Sequence, residues 1–149
     1  MIAPLLRVLD GPFGPTPHAA VPSIGLLALR VGSGLSMLLL HGLDKAQGFA
    51  SMKDSFPDPL GIGSSPSLGL AVFAEVLCSA LLVLGFFTRF AAVGLAITMG
   101  VALFLVHAND AWSAKELALV YLLIYTALIF VGPGRFSMDS AILAHGPRR

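Results

Sequence analysis

The chain has 149 residues, of which 56% are hydrophobic and 11% charged, with a mean hydropathy of +0.88 and a formal net charge of +1. A soluble domain carries roughly 25% charged residues because it must coat itself with polar side chains. This chain cannot do so, and it reads as a polytopic membrane protein. No basic block or aromatic–basic interleaving is present, which excludes a nucleic-acid partner. Cys78 is the single cysteine, so there is neither a disulfide framework nor a CxxC redox pair. It lies in an apolar run and is expected to act as a small buried hydrophobe.

Residues 1–22, "MIAPLLRVLDGPFGPTPHAAVP", mix prolines with both charge signs and lack the features of a signal peptide. They are expected to form a cytosolic tail. A membrane-crossing helix needs about 20 mostly apolar residues, and four segments qualify. The first, 23–40, carries Arg30 within an otherwise apolar run. A polar connection follows over 41–65, rich in Gly, Pro and Ser. It is too polar to cross lipid as exposed backbone and is expected outside the membrane, with room to fold as a cap over the bundle. The second span, 66–87, has Ser65 placed as N-cap and Pro66 at the first helical position. The third, 90–106, follows after "TR", and the fourth, 116–131, is stopped by Gly132-Pro133-Gly134. Residues 132–149 form a C-terminal tail. The expected fold is all-α: one antiparallel four-transmembrane-helix bundle over residues 1–149.

Four spans place both termini on one side. That side would hold Arg7, Arg89, Arg135, Arg148 and Arg149, against Lys45, Lys53 and Lys115 opposite. The positive-inside rule then puts both termini in the cytoplasm.

Depth and helical phase organise the polar residues. At about 1.5 Å per residue, Arg30 lies roughly 16 Å inward of His41, and Glu75 roughly 13 Å below the outer start of the second span. A lone charge at the bilayer centre costs about 2.5–3.5 kcal/mol, so Arg30 and Glu75 are expected to form an internal ion pair. His41, His107 and Glu116 close or open helices at the outer level. Eleven residues turn a helix through about 1100°, which sets Arg30 and His41 within roughly 20° of each other, with Gly34 and Lys45 on the same stripe. Glu75 shares a face with Ala71, Cys78 and Ser79, and His107 shares one with Ala96 and Gly100. Small residues of this kind allow helices in membranes to approach closely. A second small stripe, Gly25, Ala28, Gly32 and Ser36, suggests that the first helix packs on both sides. Tyr121 and Tyr125 are expected to pack or face the lipid interface, and Trp112 to anchor a loop at the interface.

The stretches "LRVGSGLSMLLLHGLDKAQGF", "AEVLCSALLVLGFFTRFAAVGLAITMGVALFLVHAND" and "ELALVYLLIYTALIFVGPGRFSMD" resemble, in order and spacing, the DoxX family of small four-helix membrane proteins. The resemblance covers about residues 24–139. It rests on Arg30, His41-Gly42 with Lys45, Glu75 with Gly85 and Thr88-Arg89, His107, Glu116, and Gly132-Pro133-Gly134-Arg135 with Asp139. Two departures stand out: Ser137-Met138-Asp139 replaces the usual "SLD", and "VLCSA" replaces the glycine pair that often follows the helix 2 glutamate. The resemblance implies a bacterial inner-membrane protein linked to respiratory or sulfur redox chemistry. The family is named after a membrane subunit associated with quinone-linked thiosulfate oxidation.

Three functions follow as alternatives. As the membrane subunit of a quinone-linked oxidoreductase, the chain would bind quinone as substrate. His41 or His107 would hold a carbonyl, and Glu116 or Glu75 would handle the proton, since histidine titrates near neutrality and a buried carboxyl can be raised toward it. The chain has no cofactor motif of its own, so electrons would come from a partner oxidoreductase subunit or a small reductant. As a binding or transport protein for a small anion or lipid, it would use Arg30, Lys45 and the histidines as a cationic pocket and work as a homo-oligomer. As a membrane anchor or assembly protein, its polar residues would be structural. His41 and His107 could also hold haem axially or, with Glu116, a divalent metal, both minor alternatives to a metal-free site.

Overall fold

The computed structural model describes residues 20–145. The expectations placed on the N-terminal tail, Arg7, Arg148 and Arg149 lie outside the described residues. Four helices are long and apolar enough to cross a membrane, and no strand occurs among the described residues. The protein is a multi-pass membrane protein. Helix α1 runs from Ala20–Met37 through a π-helical turn, Leu38–Gly42, into Leu43–Gln47. A short α2, Phe49–Met52, follows. Helix α3 is Ser64–Leu84, α4 is Thr88–Val106 and α5 is Trp112–Val131. A last helix, α6, Met138–His145, lies beyond the spans.

Three of the boundaries that differ from expectation have a clear local reason. Helix α1 continues past His41 to Gln47, because Gly42 packs into a helix contact instead of breaking the chain. A Cβ on Gly42 would sit 2.6 Å from the Glu75 carbonyl oxygen, so α1 and α3 meet backbone to backbone. Helix α3 begins at Ser64 with Gly63 as its N-cap, so Ser65 caps nothing. Asp58 replaces it: its carboxylate accepts hydrogen bonds from the amides of Ile62 (3.0 Å) and Gly63 (2.7 Å) and from the Ser67 hydroxyl (2.8 Å). The Ser67 hydroxyl, above all, holds the Asp58 carboxyl below its ordinary range. Helix α5 starts at Trp112, a full turn before Glu116, with Lys115 Nζ 5.6 Å from the Trp112 ring centroid.

The core runs along the middle of the bundle through Met37, Leu82, Leu95 and Leu128, with Tyr125 fully buried among them. Cys78 is buried, as expected, against Gly94. The other small stripe behaves differently: Gly25, Ala28 and Gly32 are exposed on the outside of α1, and nothing packs against Gly25 or Gly32.

The end of the bundle opposite His41 is a dense polar clasp. Helix α3 closes with Gly85 in the left-handed region (φ 69), donating from its amide to Leu82 O while Phe86 donates to Leu81 O, the paired bonds of a Schellman turn. Asp139 at the start of α6 accepts from the amides of Phe87 (2.8 Å) and Thr88 (2.9 Å), capping α4 from about fifty residues away. Its own amide donates to Gly85 O at 2.9 Å. Partial burial pushes the Asp139 carboxyl up, but those amides and the Arg30 charge outweigh it and hold it below the ordinary range. A depressed carboxylate contributes stability that is complete above the unfolded value, about 3.9, and lost as pH falls through the folded one. Asp139→Ala should therefore cost about 1 kcal/mol near neutrality. Thermal unfolding in detergent should show the gap to the parent closing below about pH 4.

Candidate functional site

The expected Arg30–Glu75 pair does not form. Two features of α1 account for this. Long side chains lean toward the N-terminus of their helix, which carries the guanidinium away from His41. The end of α1 also lies at Gln47, beyond His41, so the depth reference was short. Arg30 is 1% exposed and donates to Leu82 O (3.0 Å), Val83 O (3.2 Å) and Phe136 O (2.6 Å). The first two belong to the last turn of α3, where carbonyls lack helical partners and the helix dipole favours a cation. Arg30 is thus a structural arginine that ties α1, α3 and the C-terminal segment together.

Glu75 is answered by Lys45. Their Nζ–Oε2 separation is 2.7 Å, and the two side chains are 22% and 5% exposed respectively. The helical continuation of α1 makes this possible, placing Met37, His41 and Lys45 on one face at four-residue steps, over the middle of α3. This face borders a cavity of about 450 Å³, within the size range of small-molecule sites. Its walls come from all four spans and from the 56–62 loop, so the 41–65 connection does cover the bundle.

The floor of the cavity is polar and its other surfaces mostly apolar. Glu75, Lys45 and His41 line it together with Tyr121, a residue expected only to pack or face lipid. Tyr121 donates to Ser36 Oγ at 2.7 Å. Its ring takes the edge of His41 at a centroid distance of 6.3 Å and stacks on Tyr125 at 5.8 Å. The signal for Tyr121 lies in the three- and four-residue spacing of Ala118, Tyr121, Tyr125 and Leu128, the buried face of α5. Glu116 falls off that face, is exposed, and does not line the cavity. His107 reaches the far end of the cavity, but its Nδ1 lies 2.7 Å from Asp110 Oδ2 on its own loop. Among the described residues no three His, Cys, Asp or Glu side chains converge to hold a metal ion, so His41, His107 and Glu116 do not form a ligand set. Arg30 lies outside the cavity, and Lys45 is neutralised by Glu75, so no cationic pocket of Arg30 and Lys45 exists.

Three helices carry a π-helical turn around this cavity: Leu38–Gly42, Phe73–Cys78 and Ala102–Val106. Such turns are rare and occur often at functional sites. One contains His41, one contains Glu75 and one immediately precedes His107.

A family model for DoxX matches residues 25–108. The chain belongs to the DoxX family. Two relatives from Haemophilus influenzae, both described as uncharacterized proteins, are similar to it. One is 32% identical over 130 residues, covering 75% of this chain and 86% of its own length. The other is 33% identical over 111 residues, covering 70% and 81%. No solved structure matches the chain. The DoxX match includes α1, α3, α4 and the Lys45–Glu75 pair, and it ends just after His107, before α5 supplies Tyr121.

Proposed function

We propose that this DoxX protein is the membrane subunit of a quinone-linked oxidoreductase acting on a sulfur or thiol reductant in the bacterial inner membrane. The observation that carries the reading is the Lys45–Glu75 pair, with Glu75 buried and Lys45 half-buried, lining an apolar cavity within the bundle. A quinone ring needs an apolar slot with a few convergent polar groups at its carbonyls, and His41 and Lys45 are donors of that kind, beside the Tyr121 hydroxyl whose own proton goes to Ser36. Reduction takes up two electrons and two protons; oxidation of two thiols to a disulfide releases the same number of each. The electrons reach the quinone from the reductant or through a partner subunit, and Glu75 with Lys45 passes protons to the quinone oxygens. Both termini are assigned to the cytoplasm on the bias of five arginines, Arg7, Arg89, Arg135, Arg148 and Arg149, on their side against Lys45, Lys53 and Lys115 on the other.

The test uses membranes containing the protein, supplied with thiosulfate or a small thiol and decylubiquinone. His41→Ala and Glu75→Gln should each lower the rate of quinol formation by about 100-fold, the usual scale for losing a proton-transfer group. Rates equal to the parent in both variants would overturn the proposal.

A further inference from the structure

The loop after α2 lays Phe56, Pro57, Pro59 and Leu60 along the cavity as an apolar roof, pinned to the start of α3 by the three hydrogen bonds to Asp58. Of the large apolar lining residues carried by the spans, Leu70 on α3 and Ile97 on α4 are the most exposed, at 57% and 62%. They therefore stand at a rim and not at a floor. Ile97 is midway along the 19-residue span Thr88–Val106, and Leu70 is roughly 9 Å into α3, so this rim opens at hydrocarbon depth. Between the turn at Gly85 and Cys78, α3 and α4 pack closely, with Gly94 against the Cys78 sulfur. Nearer the roof, the start of α3 packs instead against the end of α1 and α2.

We infer that the cavity takes its ligand sideways from the bilayer, through a portal between α3 and α4 rimmed by Leu70 and Ile97, and that the ligand carries a prenyl or alkyl tail lying across that rim. The inference rests on the quinone reading for the head group and adds the class of quinone: a lipid-dissolved, tailed one. The polar head would meet Glu75, Lys45 and His41 at the inner end, while the tail stays in contact with lipid, where burying it costs nothing. A water-soluble reductant would have no use for this opening.

The full chain in nanodiscs, free of endogenous quinone, is titrated with a decyl-tailed benzoquinone and with tail-less duroquinone. Ile97→Trp should weaken the decyl quinone about tenfold and leave duroquinone within about twofold. Leu123→Trp, on an exposed position away from the cavity, should change neither. A decyl quinone with a diazirine at the tail end should label wild-type peptides containing Leu70 or Ile97, which makes the test independent of how the variants fold. Labelling confined to the Phe56–Leu60 roof, or equal effects of Ile97→Trp on both quinones, would overturn the portal and leave the quinone reading standing. Failure of either quinone to bind the parent would overturn both.

Discussion

Gly85→Ala should destabilise this protein by about 2–5 kcal/mol: about 1–2 for an alanine in the left-handed region and a further 1–3 for overpacking. The added methyl would collide with the Arg30 guanidinium and come 2.7 Å from Ser137 Cβ. Neither neighbour can yield cheaply. Arg30 is held by carbonyls of α3 and the C-terminal segment, and Ser137 is buried at the entrance to α6. Gly85→Asn separates the two causes, because asparagine tolerates the left-handed region yet carries the same Cβ. Thermal unfolding in detergent should find Asn still destabilised by the overpacking share, about 1–3 kcal/mol. Recovery of parental stability in the asparagine variant would show that backbone conformation alone, and not the guanidinium contact, demands glycine.

The second large effect belongs to the Lys45–Glu75 pair, and it should be asymmetric. Removing one partner of a buried pair costs about 3–5 kcal/mol when the survivor is trapped. Lys45→Met leaves Glu75 trapped, with its side chain only 5% exposed, and should fall near the lower figure. Glu75→Leu leaves Lys45, already 22% exposed and able to extend its stem toward water, and should cost about 1 kcal/mol. The double variant Lys45→Met/Glu75→Leu should be as stable as the parent to within about 1 kcal/mol, since well-packed apolar substitutes often replace buried pairs without loss. A double-mutant cycle measured by chemical unfolding in micelles checks this. Additive single costs would mean that the two charges are not coupled.

The same pair exposes what linear reasoning misses. Counted along ideal helices from His41, the depths of Arg30 and Glu75 nearly agree. The helix runs on to Gln47, however, and side chains have length and direction. A guanidinium reaches well past its own Cα toward the N-terminus of its helix, and there Arg30 donates to the carbonyls that end α3 instead of pairing with Glu75. Lys45, assigned to a loop, was available to Glu75 only because Gly42 lets α1 continue flush against α3. Glu116 and Tyr121 exchanged roles for a related reason. Glu116 draws attention by its charge, whereas the face of α5 that packs inward is set by Ala118, Tyr121, Tyr125 and Leu128.

Composition and hydropathy by themselves determined that the chain is a four-span helical membrane protein, because about 20 apolar residues in succession have only one stable disposition in lipid. The order of its motifs determined the family, and residue chemistry marked Arg30, His41, Lys45, Glu75, His107 and Glu116 as the side chains to watch. Only the tertiary structure decided which of them meet. Partnership across helices depends on local turns such as the three π-helical ones, each of which shifts the angular phase of every residue beyond it, and on contacts like Gly42 on Glu75 that set one helix against another. Asp139 capping α4 and Asp58 pinning the roof are of the same kind. Each satisfies backbone groups distant in sequence or in a loop, a demand that no periodic pattern announces.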